Sequence, residues 1–262
     1  MNFIKNLIFG SISNVHLEET LNRFNPYDVG IKFKRFGKDG DGGYVLPEDL
    51  ARLNKFISIG CGGDTSFEDE VFALTQIPFF IFDSHVNFPK IISNSEHKFI
   101  DGWVGEFSKA TDNKTPVYTL SQALQSCFSS DLDEGLLKLD IESSEYSALL
   151  QTDISVLTRF RIIVIELHRL NELLHSTIFC KLLNEILDRL NSKFIICHFH
   201  PNNSTPSFPL FDTSFPSTVE ITWIRRDRVN EIRKLNKTYR KHLDQNNSFK
   251  RERVNVTFPI KA

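Results

Sequence analysis

Short apolar runs recur along the chain, separated by stretches with helical periodicity. The runs are Phe56–Gly60, Phe79–Asp83, Lys98–Val104, Leu136–Ile141, Ile162–His168, Lys193–His200 and Thr218–Arg225. The first five are mostly continuous and rich in β-branched or aromatic residues, as strands buried on both faces should be. Helical patterns fall at Ser66–Gln76, Leu120–Phe128, Ser144–Leu150 and Ser176–Leu190, the first opening with Thr65 and Glu68 at capping-box spacing. Alternation of this kind predicts a mostly parallel sheet with helices on both faces. The last two runs are joined by PNNSTPSFPLFDTSFPS, which reads as a Pro/Ser/Asn loop without helical pattern. A crossover helix is missing there, so that pair is expected to be antiparallel. The expectation is an α/β fold with a seven-stranded, mostly parallel sheet carrying one antiparallel strand. No repeat or linker divides the chain. It reads as one domain over 1–262, with a cap at 1–50, a core at 51–226 and a basic tail at 227–262.

Composition changes this picture little. The chain has 262 residues, 40% apolar and 24% charged, with 24 phenylalanines to fill a large core. The net charge of −2 gives no reason to expect a nucleic-acid partner. Charge is uneven, however: Arg225–Arg253 holds eleven Lys/Arg against four Asp/Glu. That segment reads as a solvated basic helix, or as a patch making peripheral contact with an anionic surface or a phosphate-linked glycan. Cys61, Cys127, Cys180 and Cys197 form no CxxC pair, which suits reduced thiols in a cytoplasmic protein. The opening MNFIKNLIFGSIS reads as an amphipathic helix and not as a signal peptide. No run approaches the ~20 apolar residues that a membrane span requires.

In open α/β sheets, ligands bind at the carboxyl ends of the strands. Five places qualify. Gly60-Cys-Gly62-Gly63-Asp64 turns from the first strand into a helix, where freed N–H groups suit a carboxylate or a pyrophosphate. Its spacing is not GxGxxG, which disfavours a nicotinamide-dependent oxidoreductase. Asp83 closes the second strand, about where a ribose hydroxyl pair is held in nucleoside-binding folds. Asp140, Glu142 and Glu145 crowd the end of the fourth strand. Glu166 and His168 share a face at the end of the fifth and, with Asp140, make an oxygen/nitrogen ligand set for a divalent cation. A buried Glu–His hydrogen bond is the plainer alternative for that pair. His198 and His200 also share a face and lead into Asn202 and Asn203, a candidate substrate contact.

Four blocks are similar to the FkbM-like, DGGY-containing methyltransferases. They are Arg35-Phe-Gly-Lys-Asp-Gly-Asp41-Gly42-Gly43-Tyr44-Val-Leu-Pro; Ser58-Ile-Gly60-Cys-Gly62-Gly63-Asp64-Thr-Ser-Phe-Glu68; Leu137-Lys-Leu-Asp140-Ile-Glu142-Ser-Ser-Glu145-Tyr; and Val164-Ile-Glu166-Leu-His168 together with His198-Phe-His200-Pro-Asn202-Asn203. Leu243-Asp-Gln-Asn-Asn247 resembles the family's tail, so the likeness spans roughly 30–250. It implies a Rossmann-like class I methyltransferase with S-adenosylmethionine over the first two strands, and a sugar hydroxyl as acceptor in many relatives. Ser143 stands where the family usually has glycine.

On that resemblance, Gly60, Gly62, Gly63, Asp64 and Glu68 would hold the methionine part of the donor and Asp83 the ribose. Asp41, Gly43 and Tyr44 would close over the methionine end. A sugar hydroxyl barely ionises at neutral pH. It needs a base, His168 or His200, or a divalent Mg2+ or Mn2+ on Asp140, Glu166 and His168 to lower its pKa. The crowding of carboxylates favours the metal route, with Asp140 then catalytic. Glu142, Glu145, His198, Asn202 and Asn203 are candidate acceptor contacts. Rival readings are a carboxyl or amine acceptor on lipid or protein, and a donor-binding module without catalysis.

Overall fold

A computed structural model describes residues 13–84, 97–105, 115–235 and 242–261. The amphipathic N-terminal helix expected at the start of the chain lies outside them. The strands are β1 (Tyr27–Asp28), β2 (Phe33–Phe36), β3 (Tyr44–Pro47), β4 (Lys55–Ile59), β5 (Phe79–Asp83), β6 (Lys98–Asp101), β7 (Trp103–Val104), β8 (Val117–Tyr118), β9 (Gly135–Leu139), β10 (Phe160–Leu167), β11 (Phe194–Leu210), β12 (Thr213–Arg225) and β13 (Arg233–Lys234). The helices are α1 (Asn14–Asn22), α2 (Ser66–Thr75), α3 (Leu120–Cys127), α4 (Glu145–Gln151), α5 (Ile154–Leu157) and α6 (Thr177–Lys193).

The central sheet has seven strands in the order β11-β12-β10-β9-β4-β5-β6. β6, β5, β4, β9 and β10 are parallel, and β12 runs antiparallel to both neighbours. This is the Rossmann-like arrangement expected. Order reverses beside β4, so β4 and β9 diverge into different crossovers and leave a crevice at their carboxyl ends.

Alternation along the strands sorts side chains onto two faces. Ile57, Ile59, Leu137, Leu139, Ile163 and Ile165 pack against α1, α3, α4 and α6. Phe56, Leu136, Ile162 and Val164 face α2 and the β2–β3 hairpin, through Phe67, Val71, Phe36, Tyr44 and Leu46. On this second face the apolar pattern gives way towards the strand ends to Ser58, Lys138, Glu166, Glu220 and Thr222, all buried. Burial of so many polar groups is tolerable only if they are hydrogen-bonded. Thr222 donates to the Val45 carbonyl at 2.7 Å, tying the hairpin down over this polar strip.

Three expectations are corrected. The stretch after His200 is not a loop: β11 continues to Leu210 and β12 begins at Thr213, with only Phe211 and Asp212 between. Phe208 pairs with Phe215, and the prolines are tolerated because β11 is an edge strand and β12 loses its β10 partner beyond Val219, where the pair continues as a two-stranded ribbon. The third strand stops at Asp101, because Gly102 donates to the Asp83 carbonyl and sends Trp103–Val104 to pair with β8. The basic C-terminal region contains no α-helix among its described residues. Arg225 and Arg228 are instead spent on Glu134, Asp227 and Asp49. No helix among the described residues is long and apolar enough to cross a membrane. All four cysteines are buried and unpaired with one another.

Candidate active site

The turn after β4 is set by backbone geometry. Gly60, Gly62 and Gly63 have φ of +79°, +57° and +85°, the region where a side chain is disfavoured. Gly60 N–H donates to the Phe82 carbonyl at 2.8 Å. Asp83 Oδ2 accepts from the N–H groups of Cys61 and Gly62 at 2.7 and 2.9 Å. The carboxylate that ends β5 thus organises the glycine turn directly.

A cavity of about 470 Å³ opens between this turn, the Gly42–Tyr44 turn and the ends of β5, β9 and β10. Gly60 and Asp140 both border it. So do Asp41, Tyr44, Gly62, Asp64, Glu68, Asp83, Glu142, Glu166 and His168. Gly43 and Gly63 shape the turns without bordering the cavity; the Gly43 carbonyl accepts from Arg35 at 2.7 Å. Asp64 is ion-paired with Lys38. Glu68 does not form the expected capping box: Thr65 donates to Asp69, and Glu68, fully buried, accepts from Ser58. Burial pushes the Glu68 carboxyl above the usual carboxylate range.

Across the cavity lies an acid–imidazole cluster. Tyr44 Oη is 3.1 Å from Asp140 Oδ2 and 3.3 Å from Glu166 Oε2. Lys138 Nζ is 3.4 Å from Asp140 and also donates to the Gly60 carbonyl. Burial alone would favour the neutral amine, but Asp140 and Glu68 outweigh it and hold Lys138 charged. Burial, then Asp140 and Glu220, push the Glu166 carboxyl well above its usual range. His168 Nδ1–H donates to Glu145 Oε1 at 3.0 Å. Its Nε2 faces Glu166 at 3.5 Å, Glu142 at 3.6 Å and Asp140 at 4.0 Å. One ligand atom each from Asp140, Glu166 and His168 lies within 4.8 Å of the others, compatible with a cation.

Glu145, expected among the acceptor contacts, is fully buried at the start of α4 and does not border the cavity. Its Oε1 also accepts from the N–H groups of Ile141 and Ser143. It orients His168 and closes the turn. Glu142 and Ser143 have φ of +52° and +78°. Glycine in place of Ser143 would relieve a left-handed conformation that costs an L-residue about 1–2 kcal/mol, less part of glycine's extra chain entropy. Ser143→Gly is therefore expected to raise stability by about 0.5–1 kcal/mol, read as an increased Tm with an unchanged denaturant m-value.

The second histidine pair lies elsewhere. Glu166, Glu220 and His200 form one row across β10, β12 and β11. His200 Nε2 bonds Asn247 Oδ1 at 2.9 Å, and His198 Nε2 lies 3.0 Å from Asp244. Asn202 donates to Glu166 at 2.9 Å, and Asn203 to the carbonyls of Ser248 and Arg251. None of these four borders the cavity; Ser204 and Thr205, just beyond them, do. His200 thus lies off the cavity, whereas His168 borders it.

Lys138 was open to discovery from sequence. It lies two residues before Asp140, so the periodicity that places Glu166 beside His168 places it beside Asp140. Glu220 and Asn247 had no such local signal. Their proximity follows from the β10–β12 register and from the return of the C-terminal segment.

A family model described as "Methyltransferase FkbM domain" matches residues 31–209. No curated protein matches in sequence. Among solved structures, the chain is similar to precorrin-6y C5,15-methyltransferase from Geobacter metallireducens, with 13% identity and a TM-score of 0.37, over 68% of this chain and 84% of that one. It is similar to the neocarzinostatin O-methyltransferase NcsB1, in complex with S-adenosylmethionine, with 10% identity and a TM-score of 0.32, over 68% of this chain. The pyocyanin biosynthetic protein PhzM gives 14% identity and a TM-score of 0.32, also over 68%. The chain spans about half the length of the last two, at 50% and 51%. No TM-score quoted reaches 0.5, and family membership rests on the family model.

Proposed function

The chain belongs to the FkbM methyltransferase family, and on that premise we propose that it transfers the methyl group of S-adenosylmethionine to a sugar hydroxyl of a glycan or glycoconjugate. The observation that carries this reading is a single cavity bordered by the Gly60 turn and Asp83 on one side and by Asp140, Glu166 and His168 on the other. The turn, its Cys61 and Gly62 N–H groups held by Asp83 Oδ2, offers a backbone wall without side chains at Gly60 and Gly62 for the methionine part, and Asp83 its carboxylate for the ribose. The far wall offers an imidazole nitrogen to an acceptor placed behind the methyl carbon.

Methyl transfer by in-line displacement asks chiefly for alignment. The hydroxyl oxygen forms a bond to the methyl carbon, the carbon–sulfur bond breaks and its electron pair stays on sulfur, and the hydroxyl proton must go elsewhere. His168 is the acceptor for that proton. Its Nδ1 is paired with Glu145, which leaves Nε2, among Glu166, Glu142 and Asp140 at the cavity wall, as the nitrogen to take a proton. A carboxylate acceptor would need no base and would meet repulsion from Asp140 and Glu142; a hydroxyl needs the base and suffers no repulsion.

A divalent cation on Asp140, Glu166 and His168 is the second reading, favoured by the convergence of their ligand atoms. Such an ion would supply Lewis acidity to the hydroxyl. Against it, Lys138 already compensates Asp140 through an ion pair, so that carboxylate is tolerable as it stands. Turnover that survives chelation favours the imidazole; turnover abolished by chelation and restored by Mg2+ or Mn2+ favours the ion.

The test is calorimetry with S-adenosylmethionine, followed by transfer of labelled methyl to free, nucleotide-linked and lipid-linked sugars beside amine and carboxyl acceptors. Label on a sugar oxygen is the expected result. Label confined to amines or carboxyls refutes the acceptor, and no donor binding refutes the activity.

A pH dependence follows. Burial lowers the His168 pKa, but the bond and charge of Glu145, with Asp140, outweigh it and hold the imidazole above its ordinary value. The base form therefore predominates only above that raised pKa, and kcat should fall as pH drops through it. Glu145→Gln keeps the shape and removes the charge. Its acid limb should move to lower pH in a kcat–pH profile.

A further inference from the structure

The C-terminal segment after the central sheet returns across its rim and is stitched in by buried polar groups. Asp244 sits 3.0 Å from His198 Nε2 and 3.5 Å from His200 Nδ1. Gln245 Oε1 accepts from Gly40 N–H at 3.3 Å. Asn247 is 8% exposed and bridges three elements. Its Oδ1 accepts from His200 on β11, which fixes the amide's orientation. Its Nδ2 donates to Glu220 on β12 at 2.5 Å and to Asp41 at 3.2 Å. Asp41 is exposed and borders the cavity, and Asn247 does not.

Asp41 belongs to the glycine-rich turn Gly40–Gly43, in which Gly40 and Gly42 have φ of +90° and +87°. Glycines give such a turn little conformational preference of its own, so outside contacts must fix it. Arg35 holds the carbonyls of Gly40 and Gly43 from one side. From the other side it is held by Gln245 and Asn247, together with the more distant Asn202 at 3.5 Å.

We propose that Asn247, seconded by Gln245, is a positioning residue for the donor site: it locks the Gly40–Gly43 turn, and with it Asp41, to the β11–β12 rim. The C-terminal segment then completes the site from outside without touching donor or acceptor. This rests on the donor reading above. It predicts that changes at Asn247 act through Asp41 and not beside it.

The experiment is a double-mutant cycle on the full chain, with Asn247→Ala, Asp41→Ala and both together, reading the Kd for S-adenosylmethionine by calorimetry and Tm in parallel. Asn247→Ala is expected to weaken donor binding by about tenfold. The double variant should bind no more weakly than Asp41→Ala alone, because one effect passes through the other. Losses that multiply, or an unchanged Kd with a lowered Tm, overturn the proposal and leave Asn247 merely structural. If Asn247→Ala does not fold, Gln245→Ala takes its place in the same cycle under the same criterion, since it frees only Gly40 N–H. Absence of binding by the unaltered chain overturns the donor reading and this one together, whereas binding by the unaltered chain with additive variants overturns this one alone.

Discussion

His168→Gln is expected to lower kcat by roughly 10²–10⁴-fold, the usual contribution of a positioned base, with the Kd for S-adenosylmethionine little changed. Glutamine has similar reach and can still hydrogen-bond Glu145, so the α4 turn closed by Glu145 should survive. What it lacks is a nitrogen lone pair able to take a proton. The donor's expected partners, the Gly60 turn and Asp83, lie on the other wall, so the loss should fall on chemistry and not on donor affinity. Single-turnover rates with saturating donor and acceptor check this. The variant should also lose the acid limb attributed to His168, leaving kcat flat across that range. If excess Mn2+ restores the variant's rate, His168 serves as a ligand and not as the base. If kcat is unchanged without added metal, His168 has neither role.

How far these roles were legible in sequence depends on whether a contact is local. Strand and helix positions followed from apolar periodicity, and the antiparallel β12 followed from a missing crossover. The glycine turn and Asp83 were found because a strand end leading into a helix restricts what the chain can do there. Glu166 and His168 fell on one face by simple alternation, and the same rule reaches Lys138 and Asp140. The rule failed at the β11–β12 ribbon, where Pro206, Pro209 and Pro216 mimic a loop; only edge position makes them compatible with strands. It also failed for Glu145 and the His198–His200 pair. Both carry the residue types of an active site, and both are turned away from the cavity by partners distant in sequence. Glu145 is taken by His168, 23 residues on. His200 is taken by Asn247, 47 residues on. Nothing in a local pattern distinguishes a histidine that faces a ligand from one that holds down a returning segment.

Gly60→Ala is expected to destabilise the chain by about 3 kcal/mol or more and to reduce donor affinity at least ~100-fold. A Cβ on Gly60 would lie 1.7 Å from the Asp140 carbonyl oxygen and 2.8 Å from its carbon. Both are backbone atoms, so no rotamer change relieves the clash. The ends of β4 and β9 would have to part, breaking the bond from Asp140 N–H to the Ile59 carbonyl and the one from Lys138 to the Gly60 carbonyl. Lys138 would then lose a partner while still buried, and the spacing between donor turn and Asp140 would change at the point where alignment matters. The φ of +79° adds the intrinsic cost of a left-handed residue. Gly62→Ala isolates that last contribution. Gly62 also has positive φ, but a Cβ there meets nothing within 4 Å. It should cost only about 1–2 kcal/mol of stability, well short of the loss at Gly60. Denaturant melts and calorimetry on the two variants separate backbone strain from strand separation. Equal losses at both glycines would mean that the close approach of Gly60 to Asp140 contributes nothing to the site.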